Sequence, residues 1–286
     1  MDQRYIELFD EFTHGTMNRR DFMERLANAA GGAAAAAALV PILQNNYAEA
    51  GIVPEEDERL VTEMATYDVD GTAMSGYLAR LKGGGNRPGV IVIHENRGLN
   101  PHIKDVARRM ALEGFLAFAP DALSPVGGTP ADEDRAREMI YELDGDATLA
   151  RMVAAVPFLA GHSESTGKVG AIGFCWGGGM VNKLAASGTS LAAGVPYYGR
   201  QIPVEEVAKI SAPLCLQYAG LDKRINEGID VYVAALKANN KTYELHIYEG
   251  ANHAFNNDTN ETRYDKAAAD LAWGRTVEFL KKYLTK

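Results

Sequence analysis

Lys168-Val169-Gly170-Ala171-Ile172-Gly173-Phe174-Cys175-Trp176-Gly177-Gly178-Gly179 decides how the chain is read. A short apolar run, 168–174, has the look of a buried strand, and the stretch 178–187 after it has helical spacing. Between them, Gly173-Phe174-Cys175-Trp176-Gly177 is a Gly-x-Cys-x-Gly version of the nucleophile elbow. The two outer glycines have a steric reason to be there, because a tight strand-to-helix turn strains the central residue and brings backbone too close for a side chain. Cys175 then sits at a helix N-terminus, where the positive helix end and a nearby imidazole would favour thiolate over a thiol of ordinary pKa near 8.5. The competing reading is a glycine-rich helix entry or phosphate cradle around an incidental buried cysteine.

Working outward, further short runs rich in Val, Ile or aromatics occupy 89–94, 114–119, 191–198, 213–219 and 243–248. Helical stretches fall at 101–113, 133–143, 147–160, 204–210, 228–238 and 262–283. Strand and helix alternate, and runs such as Val90-Ile91-Val92-Ile93 imply burial on both faces, so the class is α/β with a mostly parallel sheet flanked by helices. Two earlier segments, 61–69 and 75–81, flank Asp70-Gly71, a hairpin signal that adds an antiparallel edge.

In such a sheet, functional groups gather beyond the carboxyl ends of the strands. The run 213–219 leads into Asp222, and 243–248 leads into Gly250-Ala251-Asn252-His253-Ala254-Phe255. A lone loop Asp or His is usually structural. Three candidates in the order Cys175, Asp222, His253, each past a strand end, follow the chain order of a nucleophile, an orienting acid and a base. After the run 89–94 comes His94-Glu95-Asn96-Arg97-Gly98, placed to supply the backbone N–H of Asn96 to an oxyanion hole whose second donor is the N–H of Trp176. Glu95 and Arg97 would stand close behind the nucleophile, and His94 would hold the loop by hydrogen bonds. Trp176, Tyr198, Arg200, Arg224, Phe255 and Leu123, with Pro125, are candidates for the pocket wall, although the apolar ones could equally be core. A metal centre of His94, Glu95 and His253 lacks a compact ligand spacing, so no metal is expected, and no cofactor is required.

These four motifs together resemble the dienelactone hydrolase (carboxymethylenebutenolidase) family over roughly residues 55 to 285. The resemblance implies an α/β-hydrolase fold, a Cys-Asp-His triad at Cys175, Asp222 and His253, and a Glu95 that holds the cysteine less reactive until substrate displaces it. It implies cysteine-dependent hydrolysis of small-molecule esters or lactones through an acyl-enzyme. In the family's lactonases an arginine shortly after the histidine grips the substrate carboxylate; here that stretch reads Asn256-Asn257-Asp258, leaving Arg97, Arg200 or Arg224 to supply positive charge. An acyltransferase or another hydrolase using the same nucleophile, and a non-catalytic scaffold on this fold, are the alternatives.

The first fifty residues stand apart from the domain 51–286. Asn18-Arg19-Arg20-Asp21-Phe22-Met23 precedes an Ala/Gly-rich apolar stretch from Ala29 to Leu43 and then Ala48-Glu49-Ala50, which resembles a twin-arginine export signal and a cleavage site. Asp2, Glu7, Asp10 and Glu11 ahead of the arginines oppose that reading. The alternative is a retained helical arm with Tyr5, Leu8, Phe9 and Phe12 on one face and an Ala-rich second helix, packed on the domain or on a second copy as a homodimer. Export places the protein in the periplasm, retention in the cytoplasm. The apolar stretch is shorter than the roughly 20 residues of a membrane span. Across its 286 residues the chain is 47% hydrophobic and 23% charged with net charge −9, which excludes a disordered chain and disfavours nucleic acid. Two cysteines, Cys175 and Cys215, cannot form a disulfide framework, and Cys215 reads as a small core side chain.

Overall fold

The computed structural model describes residues 1–15, 17–47 and 51–285, so the small-residue site Ala48-Glu49-Ala50 lies outside the described residues. Three helices come first, α1 (Gln3–His14), α2 (Arg19–Ala30) and α3 (Ala33–Leu43). The hairpin β1 (Leu60–Val69) and β2 (Thr72–Leu81) follows, turning at Asp70 and Gly71, whose φ values of 51° and 79° suit the two-residue loop read from the sequence. Then come β3 (Arg87–Ile93), α4 (Pro101–Leu112), β4 (Leu116–Pro120), α5 (Glu133–Glu142), α6 (Gly145–Ala160), β5 (Ser165–Phe174), α7 (Trp176–Ala186), β6 (Leu191–Tyr197), β7 (Leu214–Ala219), α8 (Lys223–Asn226), α9 (Ile229–Ala238), β8 (Tyr243–Tyr248) and α10 (Lys266–Leu284).

The strands form one eight-stranded sheet in the order β1-β2-β4-β3-β5-β6-β7-β8. β1 and β2 pair antiparallel and β2 meets β4 antiparallel, while every pairing from β4 through β8 is parallel. Val90, Ile91, Val92 and Ile93 are fully buried, and alternate residues serve the two cores on opposite faces of the sheet. Helix starts follow the local chemistry: Asn100, Asp132, Asp144 and Asp265 each cap a helix by accepting from a backbone N–H three residues on.

Several sequence expectations need correction. The stretch 204–210 is a 3₁₀ helix, Val204–Lys209, because a short segment after Pro203 buries only Val207 and cannot sustain an α-helical face. The closing helix begins at Lys266 rather than 262, where Asp265 caps it. Among the described residues the segment before β1 contains three α-helices, not two, since Gly31 and Gly32 adopt φ of 84° and 146° and break the chain between α2 and α3. Among the described residues no single helix is long and apolar enough to cross a membrane, although α2 and α3 pass jointly as a pair bent by 112°.

The arm's apolar side chains also turn out differently. Ile6, Phe9, Phe12, Phe22, Leu26, Ala36 and Leu43 bury one another in a core of their own, with Phe12 stacked on Phe22 at 4.6 Å. Each buried Phe or Leu contributes about 1.5–3 kcal/mol. The face expected to meet the domain or a second copy is therefore filled largely from within the arm, and Tyr5 and Leu8 lie at its margin.

Candidate active site

Cys175 stands between the last residue of β5 and the first of α7, with φ of 56° and ψ of −111°, a strained conformation that aims its side chain away from the sheet. The glycines around it are required by contact. A Cβ on Gly173 would lie 2.3 Å from the Gly177 carbonyl oxygen, and one on Gly177 would lie 2.4 Å from that of Ile93. Both obstacles are backbone, which cannot yield as a flexible side chain would. Gly177→Ala is therefore expected to lower stability by about 2 kcal/mol or more, read as a lower urea midpoint with an unchanged m-value.

Asp222 caps α8 through the Ile225 N–H at 3.2 Å, and its other carboxylate oxygen accepts from Nδ1 of His253. That bond fixes the ring and leaves Nε2 of His253 buried, without a hydrogen-bond partner among the described residues. The Tyr198 ring packs 4.9 Å from the His253 ring and Phe255 packs 5.3 Å from Tyr198; both are buried and neither lines the cavity over Cys175, so Tyr198 backs the histidine and Phe255 backs Tyr198 instead of forming the pocket wall. A second histidine, His14 at the end of α1, places Nε2 3.1 Å from the Cys175 sulfur. Its Nδ1 lies 2.9 Å from the Asp10 carboxylate. The sulfur and one nitrogen from each of the two imidazoles fall within 4.8 Å of one another, so this trio is also the grouping with which a soft cation could be held. A second such trio, Cys215 with Glu244 and His246, lies on β7 and β8.

Burial by itself would push the Cys175 thiol up, but the charges of His14 and then His253 outweigh it and bring its pKa down to about 6. Burial works against charge on His253 as well, yet the Asp222 carboxylate foremost, with Asp10 and the Cys175 thiolate, raises it. His14 is raised against its burial by Cys175 and Asp10. Near neutral pH the site thus favours a thiolate flanked by imidazolium.

The remaining residues take definite places. The N–H of Trp176 is the first of α7, and neither it nor the N–H of Asn96 is taken by another described residue. The Asn96 side chain donates to the Thr13 carbonyl at 2.9 Å and to the Tyr141 hydroxyl at 3.1 Å. Glu95 accepts from Asn257 at 2.8 Å, while its other oxygen is buried without a partner. Arg97 lines the cavity with Cys175 but pairs with Glu133 at 2.9 Å. His94 Nε2 accepts from the Ala122 N–H at 3.1 Å, so its Nδ1 carries the proton donated to the Glu95 carbonyl at 2.5 Å, and its ring stacks on Trp176. It holds the loop and does not converge with Glu95 and His253 on a metal position.

Leu123 is sealed in the core on the other side of the sheet and does not line the cavity, because the turn after β4 folds it inward. Arg200 is exposed, and Arg224 reaches Asp10 at 3.4 Å and His253 Nδ1 at 3.5 Å. Arg263 lines the cavity over Cys175 with its Nε unpartnered; it lies ten residues past His253, where the sequence offered only a position near a helix start. His14 carried no local signal either, since a histidine in the last turn of an amphipathic helix reads as a C-terminal cation.

A cysteine elbow on a parallel sheet of this order, with an Asp-bound histidine beside it, defines an α/β-hydrolase. The family model described as the dienelactone hydrolase family matches residues 74–284, and one described as YqhI-like matches residues 1–32. "Protein usf" of Aquifex pyrophilus is 37% identical over 232 residues, spanning 78% of this chain and 99% of that protein. A protein of Escherichia coli (strain K12) named "Putative carboxymethylenebutenolidase" is 32% identical over 248 residues, spanning 81% and 91%. Among solved structures, the dienelactone hydrolase-like promiscuous phosphotriesterase P91 from metagenomic libraries superposes with a TM-score of 0.70 at 25% identity, spanning 79% of this chain and 99% of that one. The chain belongs to the dienelactone hydrolase family, and it is a hydrolase acting on carboxylic ester or lactone bonds.

Proposed function

We propose that the chain hydrolyses small-molecule esters or lactones through an acyl-enzyme on Cys175, with Asp222 and His253 completing a triad. The observation that carries this reading is the placement of the Cys175 sulfur at the start of α7 within 4.8 Å of a ring nitrogen of the Asp222-bound His253. The thiolate attacks the carbonyl carbon, and the tetrahedral oxyanion is met by the N–H groups of Asn96 and Trp176. His253, as imidazolium, gives its proton to the departing alkoxide, leaving a thioester on Cys175. Neutral His253 then takes a proton from water as it attacks the thioester. Collapse releases the carboxylic acid and restores the sulfur. Asp222 keeps the His253 ring in one tautomer and stabilises its cation. Arg263, whose Nε has no hydrogen-bond partner among the described residues, supports a substrate carrying negative charge.

Acid-quenched mixtures with p-nitrophenyl acetate should carry an acetyl group on the peptide containing Cys175. The initial acetylation rate should rise as pH increases through about 6, because the reactive thiolate is populated above that pKa and lost below it. Acetylation at a different residue, or a rate that rises only near pH ~8.5, the ordinary thiol value, would overturn the reading. A phosphorus centre can be attacked by the same sulfur, and a parallel incubation with a phosphotriester would test that second use.

A further inference from the structure

We propose that α1–α3 form a self-inhibiting plug, in which His14 occupies the substrate's place at Cys175 and must withdraw before an ester can be attacked. The inference rests on Cys175 being the nucleophile.

Space is the first argument. Cys175 is only 7% exposed, and the cavity over it, lined by His14 together with Glu95, Asn96, His253 and Arg263, holds about 10 Å³. That is room for about one water molecule, whereas small-molecule sites run to roughly 300 Å³ and more. The His14 imidazole fills the approach to the sulfur, in contact with it at 3.1 Å and packed edge-on against His253 with ring centroids 4.5 Å apart. A carbonyl carbon attacked by that sulfur would have to occupy the same volume.

The way the arm is attached is the second argument. Its apolar side chains are spent on its own core, so little hydrophobic burial holds α1 to the domain. What docks the end of α1 is mainly polar. The Thr13 carbonyl accepts from Asn96, and the Phe12 carbonyl accepts from Arg137 at 3.0 Å, whose guanidinium also lies over the Phe12 ring at 4.2 Å. Asp10 meets Arg224, and exposed Glu7 meets exposed Lys223 at 3.0 Å. The exposed contacts among these are individually weak and screened by salt, and the buried Asn96–Thr13 bond must break with them for the end of α1 to lift away while the arm's own core stays folded. Residues 1–32, which hold α1 and α2, match a family model separate from the one that matches the hydrolase domain, as expected of a module added to a complete catalytic fold.

The test uses the full chain and reads Cys175 alkylation by N-ethylmaleimide, which needs neither His253 nor ester turnover. Glu7→Lys combined with Arg137→Ala weakens docking without touching the triad and should speed alkylation about tenfold. Raising sodium chloride should speed it in the unaltered protein. His14→Ala should also speed both alkylation and turnover of p-nitrophenyl acetate, since the gain in access outweighs the lost imidazole charge. Alkylation unchanged in the double variant and insensitive to salt would overturn the plug. Slower alkylation and lower turnover in His14→Ala would overturn it too, by making His14 a partner that the nucleophile needs. If alkylation accelerates as expected while no variant hydrolyses any ester, the plug stands and the hydrolytic role of Cys175 falls.

Discussion

Replacing Cys175 with alanine is expected to cut ester turnover by about 10⁴- to 10⁶-fold, the scale on which loss of a covalent nucleophile is felt. The fold should survive, because the two side chains share the same Cβ and therefore the same demand at φ 56°, which the Gly173 and Gly177 contacts impose on whatever residue stands there. The sulfur is a small, 7% exposed member of the core on its face of the sheet, so its loss should cost little stability. It touches His14 at 3.1 Å beside a cavity of about 10 Å³, so its removal mainly enlarges a small polar space. The comparison is made by measuring kcat/KM with p-nitrophenyl acetate alongside the urea midpoint. Turnover within tenfold of the unaltered protein would remove Cys175 from the chemistry, whereas a lowered midpoint with lost turnover would leave folding as the cause. Any residual rate should come from the N–H groups of Asn96 and Trp176 acting on bound ester with water as nucleophile.

The parts of this site that the sequence made legible are those built from local geometry. The elbow is readable because Gly173 and Gly177 each answer a backbone contact under 3 Å, and such contacts leave a mark on residue choice. Asp222 and His253 are readable because parallel strands deliver their carboxyl ends to one edge, so chain order stands in for spatial order. The hairpin was marked by Asp70-Gly71 and the strands by their Val and Ile runs. What was not legible depends on docking. Nothing local to α1 tells that His14 in its last turn will reach across the elbow, since an apolar face read from Tyr5, Leu8, Phe9 and Phe12 reports only that one side is covered. The identity of the cover was a tertiary fact, and it proved to be α2 and α3. Arg97 illustrates the same limit from the other side: its motif put it close behind the nucleophile but gave no sign of its partner Glu133, which α5 brings within 2.9 Å. Helix boundaries slipped where a cap further along outcompeted propensity, as Asp265 does for α10.

Substitutions at His253 and Asp222 are expected to produce the second large effect, and their pattern separates catalysis from packing. His253→Ala removes the group that gives the proton to the leaving alkoxide and accepts one from water, and turnover should fall by about 10³- to 10⁴-fold or more. Asp222→Asn keeps the shape and the N-cap of α8, because the side-chain oxygen can still accept from the Ile225 N–H, but the amide brings an N–H where His253 Nδ1 needs an acceptor. The ring is then driven to the wrong tautomer or turned, and the loss should again be about 10⁴-fold. The thiol should answer as well. With the charge of His253 removed or weakened, the Cys175 pKa should rise from about 6, so that the pH at which alkylation becomes fast moves upward in both variants, by an amount limited by His14, which still faces the sulfur in each. A group that merely packs beside Cys175 would not move that profile. The decisive measurement is the double variant Cys175→Ala with His253→Ala. Two residues acting on one covalent step lose their effect once, so the double variant should be no slower than Cys175→Ala alone, whereas fully multiplied losses would mean that His253 supports turnover by a route that does not pass through the sulfur.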